Sequence, residues 1–156
     1  MNIKRSLIGF LIIIMVFFTS CDVSKSYPCV LDYQDLSEKT IGVEILYVDD
    51  DCDEEILYIF EENEISGFLE EFCVLSFHKV GPAFGTPYGY TIKLLYDDGS
   101  FNLISAVGGS KHNEVGKYVE KGPCPMRDSW DSYYNLLLKH IEIDKYDEGW
   151  NIIPNK

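Results

Sequence analysis

The chain has 156 residues, which is enough for one domain with a buried core and short for two. It carries 26 Asp and Glu against 13 Lys and Arg, so its formal net charge is −13. Binding to nucleic acid or to bare anionic lipid needs a cationic surface, and this excess of acid argues against both as partners. A cationic peptide, a basic protein surface or a metal cation suits the charge better.

The first 20 residues have the pattern of a secretory signal. Lys4 and Arg5 form a positive start, and an unbroken apolar run follows over residues 7–18. A run of this length is too short to span a bilayer, which takes roughly 20 residues. A positive start, an apolar stretch and small residues before a cleavage point describe a segment that is removed, so we exclude it from the fold prediction.

The apolar run is followed by Thr19, Ser20 and Cys21. This stretch resembles the lipobox of bacterial lipoprotein precursors, in which small residues precede a cysteine that is lipidated and becomes the new N-terminus. Phe18 departs from the pattern, because the family usually has Leu there. The resemblance implies lipid attachment at Cys21, with the domain on the extracytoplasmic face of a bacterial cell membrane. Several acyl chains on one cysteine anchor a protein stably, whereas a single chain does not.

The remaining chain predicts a tethered single domain. We expect a signal peptide over residues 1–20, the lipidated cysteine with a polar tether over 21–39, one α+β domain over 40–145 and a tail over 146–156. The domain also loosely resembles small lipoproteins of low-GC bacteria, a likeness that implies no activity.

Alternation of apolar residues predicts a first hairpin. Residues 41–47 have the two-residue period of a strand, and an acidic turn over 49–55 leads into a second expected strand over 56–60. Helical spacing follows over 65–73, with Asn63 as the expected N-cap. Two further strands are expected near 74–80 and 115–120.

The clearest hairpin signal lies over residues 90–107, where Asp98 and Gly99 can form a two-residue turn. That turn would place Leu94 opposite Leu103. A last amphipathic helix is predicted over 130–141. The order of these elements, joined by hairpins, predicts an α+β fold with an antiparallel sheet of about five to six strands and two helices packed on one face.

Beyond Cys21 the chain has four cysteines, Cys29, Cys52, Cys73 and Cys124. An even number in a chain that leaves the cytoplasm favours two disulfides, whose three connectivities the sequence does not separate. In an anaerobic host, four buried free thiols are the better interpretation. No Cys-x-x-Cys motif is present, and nothing in the chain implies a cofactor.

The acidic turn and two other segments invite chemical interpretations that the spacing does not support. Asp49, Asp51 and Asp53 could offer oxygen ligands to calcium, but neither EF-hand register fits, and a solvated hairpin tip is the favoured interpretation. Ser76 and His78 share a strand face, where same-face neighbours lie roughly 6 to 7 Å apart, too far for a nucleophile and its base.

The glycine-containing segment over residues 108–117 lacks the spacing of a phosphate-binding loop. We therefore predict a polar loop between strands, in which Lys111 and His112 are candidate ligand contacts.

A loop rich in glycine, proline and aromatic residues, over residues 81–90, is the predicted recognition surface. Phe84, Tyr88 and Tyr90 supply rings of the kind found at binding hot spots, and the prolines lower the entropy lost on binding. The alternative is that these rings fold back and pack onto the end of the hydrophobic core.

The favoured hypothesis is a non-enzymatic, membrane-anchored lipoprotein that binds a protein or peptide of the cell envelope. The alternatives are an envelope hydrolase using His78 or His112, and an inhibitor or immunity protein whose acidic surface attracts a basic target.

Overall fold

The computed structural model describes residues 27–79 and 87–142, and the fold class is the expected α+β with antiparallel sheets. The signal-like segment, Cys21, Phe84 and the predicted tail lie outside these residues. The strands are β1 (Tyr27–Cys29), β2 (Thr40–Val48), β3 (Glu54–Ile59), β4 (Phe77–Lys79), β5 (Gly89–Tyr96), β6 (Phe101–Ser105), β7 (Gly108–His112), β8 (Tyr118–Lys121) and β9 (Pro123–Pro125). The helices are α1 (Tyr33–Lys39), α2 (Glu62–Cys73) and α3 (Trp130–Leu137), the last preceded by a 3₁₀ turn, Arg127–Ser129.

Six strands form the main sheet in the order β3-β2-β5-β6-β7-β8, and every neighbouring pair is antiparallel. The pairing of β2 with β3 confirms the predicted first hairpin. Alternate residues of the central strands project to one side and are buried against α2 and α3. This core includes Val43, Ile45, Ile92, Leu94, Ile104, Phe68, Leu69, Phe72, Tyr133 and Leu137.

Helix α2 confirms the predicted amphipathic segment but begins earlier than expected. Its N-cap is Glu61, which forms a reciprocal capping box with Glu64, whereas the expected cap, Asn63, lies inside the helix. A carboxylate reaching back to the cap amide satisfies free backbone donors in the first turn. The acidic side chains there also suit the positive end of the helix dipole.

The segment expected to be a tether contains folded structure from residue 27 onward. Strand β1 pairs with β4, which also pairs with β9, so these three form a second small sheet. Asp32 caps α1 by accepting a 2.9 Å hydrogen bond from the backbone N–H of Asp35, and Leu36 is buried in the core. Residues 27–39 therefore belong to the fold, and the predicted boundary at residue 40 is wrong for this part of the chain. The sequence did not reveal α1 because this seven-residue helix buries only Leu36.

The hairpin between β5 and β6 has a three-residue loop, so the predicted register is wrong by one residue. The amide of Tyr96 donates to the carbonyl of Ser100 at 2.9 Å, and Gly99 has a φ of +80°. A turn followed by a left-handed glycine is a common three-residue hairpin loop. Leu94 consequently faces Asn102 instead of Leu103, and Asn102 shares the inner side of the sheet with Tyr96.

Residues 108–112, predicted to be part of a polar loop, form the interior strand β7. The glycines there allow close packing: a Cβ atom on Gly109 would lie 1.9 Å from the carbonyl oxygen of Pro123 in the crossing β9 segment. Because side chains alternate along a strand, Lys111 projects to one side of the sheet, and Ser110 and His112 project to the other.

All four described cysteines are free thiols, so the expected disulfides are not formed. Cys29 and Cys124 lie in strands on either side of β4, and two strand spacings separate their backbones by about 9.5 Å, beyond the span of a disulfide. Burial raises the pKa values of Cys29 and Cys73 and raises that of Cys124 to about 12. These three are therefore protonated, whereas Cys52 is exposed in the acidic turn.

Candidate binding site

A cleft of about 300 Å³ lies where α1 meets the ends of β6, β7 and β8. Its basic lining consists of Lys39, Lys79, Lys111 and Lys121, and its acidic lining consists of Asp32, Asp35 and Glu120. These groups give the cleft a formal charge of +1 in a chain whose net charge is −13. The cleft is therefore a local cationic region on an acidic protein.

The register of the sheet brings one row of polar side chains to the cleft. Asn102 of β6 lies opposite Lys111 of β7, which in turn lies opposite Glu120 of β8. Lys79 comes from the small sheet, where it is paired with Pro123. Helix α1 supplies Lys39. The site is thus assembled from segments that are far apart in the sequence.

Two of the lysines are available for a ligand. Lys39 forms an ion pair with Asp35 within α1, and its ammonium lies 5.2 Å from the ring centroid of Tyr96. Lys79 and Lys111, by contrast, make no hydrogen bond or ion pair with any side chain in the described ranges 27–79 and 87–142. An incoming anion can pair with these ammonium groups without first breaking a salt bridge to any described residue.

The half-buried amide of Asn102, which also lines the cleft, has an acceptor that no described group uses. The side-chain nitrogen of Asn102 donates a 2.7 Å hydrogen bond to the phenolic oxygen of Tyr96. The carboxamide oxygen of Asn102 is buried and has no partner among the described groups. Burial and nearby acids raise the pKa of Tyr96, so its hydroxyl remains neutral. Because an unsatisfied buried acceptor costs free energy, a ligand that donates a hydrogen bond here would be favoured.

The predicted contact residues that lie within the described ranges are not brought together. Tyr90 is only 2% exposed, its ring packs edge-on against Tyr47, and it belongs to the core, so its expected role as a surface contact is wrong. Tyr88 is half-buried. Of the pair in β7, Lys111 lines the cleft, whereas His112 lies on the opposite side of the sheet.

His112 forms a hydrogen-bonded pair with Ser110. Nε2 of His112 lies 2.9 Å from Oγ of Ser110, and Nδ1 lies 3.0 Å from the carbonyl oxygen of Gly116. The imidazole also stacks on Phe101, with ring centroids 4.8 Å apart. This is the connectivity of a nucleophile, a base and an orienting group, but Ser110 is only 1% exposed, which favours a structural role.

The acidic turn is organised by its own backbone. One carboxylate oxygen of Asp49 accepts hydrogen bonds from the amides of Asp51 and Asp53, at 3.0 and 2.9 Å. Across the part of the chain that the structure describes, no three metal-ligating side chains are gathered into a metal site. The calcium interpretation of these three aspartates therefore receives no support.

Sequence reasoning found Lys111 and missed the rest of the cleft. Lys39, Lys79, Tyr96 and Asn102 occur in different elements, and no local motif marks them. Side-chain alternation along residues 108–112 could have shown that Lys111 and His112 project to opposite sides of a strand. The sequence analysis did not use it, because it predicted a loop there.

No family model, no curated protein and no solved structure matches this chain. Among the described helices, none has the length and apolar character required to cross a membrane.

Proposed function

We propose that this protein is a lipid-anchored binding module of a bacterial cell envelope, and that it holds an anionic ligand in the lysine-lined cleft. One observation carries the proposal: Lys79 and Lys111, which form no salt bridge with any described residue, line the same cleft as Asn102, whose buried carboxamide oxygen accepts no hydrogen bond from the described groups. Charged donors to a carboxylate form stronger hydrogen bonds than neutral groups do. A binding role also requires no set of catalytic side chains, which agrees with the non-enzymatic hypothesis from the sequence.

The proposed location rests on the lipobox resemblance. Small residues before Cys21, after a short apolar run, support lipidation of that cysteine and attachment to the extracytoplasmic face of the membrane. The wild-type protein should then partition into membranes and carry the mass of a diacylglyceryl group, and C21A should lose both properties. Membrane-free wild-type protein of unlipidated mass would contradict the anchor.

The binding role is tested by capture from solubilised envelopes with the tagged, full-length protein. The cleft variant K79Q/K111Q should lose a stoichiometric partner that the wild type retains. K117Q/K139Q is the matched control, because it removes the same charge from exposed positions outside the cleft. Equal capture by the wild type and both variants would contradict the cleft as the binding site.

A hydrolase is the second candidate, favoured by the hydrogen-bonded pair of Ser110 and His112. Its test is labelling of the wild-type protein with a fluorophosphonate probe, which reacts with activated serines. Labelling that disappears in S110A and H112F would establish a nucleophilic serine. An unlabelled wild type alongside a labelled control hydrolase would contradict this candidate, in keeping with the burial of Ser110.

A further inference from the structure

We infer that the cleft recognises an acylated α-amino carboxylate, as found at the C-terminal end of a peptide chain. This inference rests on the proposed function, since it names the ligand class of the same cleft. Three features of the cleft, its net charge, its unused acceptor and its apolar wall, each match one part of such a ligand.

The charge of the cleft matches a single carboxylate. Lys79 and Lys111 supply ammonium groups that form no salt bridge within the described residues, while Asp32 caps α1 and Asp35 is paired with Lys39. Glu120 lies directly opposite Lys111 and adds a nearby negative charge. A formal charge of +1 therefore balances one negative charge, and a second charge on the ligand would meet acidic side chains.

The unused acceptor matches an amide N–H adjacent to that carboxylate. Asn102 lies directly opposite Lys111, so its carboxamide and the lysine project from neighbouring positions on the same side of the sheet. In the last residue of a peptide, the amide N–H is attached to the same α-carbon as the carboxylate. One ligand residue can therefore donate to the oxygen of Asn102 and pair with Lys111 at the same time.

The apolar wall matches a side chain of moderate size. Leu31 is half-buried, Pro123 is buried and Val30 is 89% exposed, and all three line the cleft. A volume of about 300 Å³ is at the small end of the range for ligand pockets, so the cleft suits one or two residues. Leucine at the last position is a suitable probe.

The experiment compares two forms of one peptide by fluorescence anisotropy with the full-length protein. The probe is Gly-Gly-Ser-Gly-Leu labelled with fluorescein at its N-terminus, with either a free C-terminal carboxylate or a C-terminal amide. We expect the amide to bind at least about tenfold more weakly, because it lacks the charge-assisted hydrogen bonds. Equal binding of the two forms, or no binding of either, would overturn the inference.

Two variants separate the ligand class from the site itself. K79Q/K111Q should weaken binding of the free acid, whereas K117Q/K139Q should not. If K79Q/K111Q binds the free acid as tightly as the wild type does, the proposed function fails as well. N102L removes the acceptor and should weaken the free acid about tenfold, with its thermal melt as the control for folding. If N102L does not fold, N102D is the substitute, and its added negative charge should weaken the acid more than the amide.

A competition experiment shows whether the cleft recognises a single acylated amino acid or the C-terminal end of a longer peptide. N-acetyl-leucine carries the same carboxylate and N–H as the chain end. Displacement of the peptide by N-acetyl-leucine at a similar concentration supports recognition of any acylated amino acid, whereas displacement only by unlabelled peptide supports recognition of a longer chain end. Displacement by N-acetyl-leucinamide equal to that by N-acetyl-leucine would overturn the inference.

Discussion

Oγ of Ser110 and Nε2 of His112 lie 2.9 Å apart, although the two residues are next neighbours on the same face of β7. The other imidazole nitrogen contacts the carbonyl oxygen of Gly116, in the turn between β7 and β8. His112 thus joins a buried hydroxyl to the turn that follows its strand. Together with the burial of Ser110, this arrangement makes the pair a stabilising element of the sheet.

Replacing His112 with phenylalanine should destabilise the protein while retaining a ring that can stack on Phe101. H112F leaves the buried hydroxyl of Ser110 without its partner, and we expect the free energy of unfolding in urea to fall by about 1 to 3 kcal/mol. The double variant S110A/H112F removes the orphaned hydroxyl and should recover part of this loss. A double variant less stable than H112F would contradict this account of the pair.

Gly109 and Gly67 should respond to alanine in opposite directions. G109A would place Cβ 1.9 Å from the carbonyl oxygen of Pro123, so we expect a loss of at least about 3 kcal/mol or failure to fold. G67A is the matched control, because Gly67 is exposed in α2 and its Cβ would meet nothing within 4 Å. It should stabilise the helix by up to about 1 kcal/mol. Urea unfolding measures both, and a stable G109A would show that β9 does not cross β7 as described.

The hydroxyl of Tyr133 holds α3 on the main sheet. It contacts the carbonyl oxygens of Tyr90 and Ile104, at 3.0 and 2.8 Å, in a fully buried position. Y133F should lower the free energy of unfolding by about 1 to 3 kcal/mol, because both contacts are lost in the interior. Y118F, which removes a hydroxyl from a half-exposed ring on the edge strand, should change it by less than about 0.5 kcal/mol. Equal effects of the two variants would contradict the role of Tyr133.

The cysteines should differ sharply in reactivity. In C21A, Ellman's reagent at pH 8 should modify Cys52 rapidly, because it is exposed, and Cys124 only slowly, because burial raises its pKa to about 12. All four thiols should react in guanidinium without a reductant. C21A/C52S is the control and should lose the rapid phase. Fewer than four reactive thiols after unfolding would show that disulfides form in the protein.

Local pattern predicted the elements better than it predicted their partners. The alternation in β2 and the helical spacing in α2 and α3 arise from residues close in sequence, and these three elements are confirmed. Their bounds were less accurate, because α2 begins at Glu62 and α3 ends at Leu137, before the predicted end at residue 141. The register of β5 against β6 was wrong because loop length decides it, and a two-residue and a three-residue loop are both compatible with Asp98 and Gly99. One residue of slip moved Asn102 to the inner side of the sheet.

The candidate site could not be predicted for a related reason. The glycines in β7 suggested a loop, because glycine weakens a strand. In the structure, Gly109 is required because β9 passes too close for a side chain at this position. The sequence does not reveal this contact. Once β7 is a strand, Lys111 and His112 must lie on opposite sides of the sheet. The aromatic residues of the predicted recognition loop were weighed against a role in the core, and for Tyr90 the core interpretation was correct.

By itself the sequence determined the α+β class, because the periodicity of apolar side chains is a local property that can be recognised without knowing which distant residues are in contact. It also carries the lipobox resemblance that predicts an anchor at Cys21. Only the tertiary structure decided where a ligand could bind. The lysines of the cleft come from α1, β4, β7 and β8, and their convergence depends on strand order and register, which are set by contacts between distant residues.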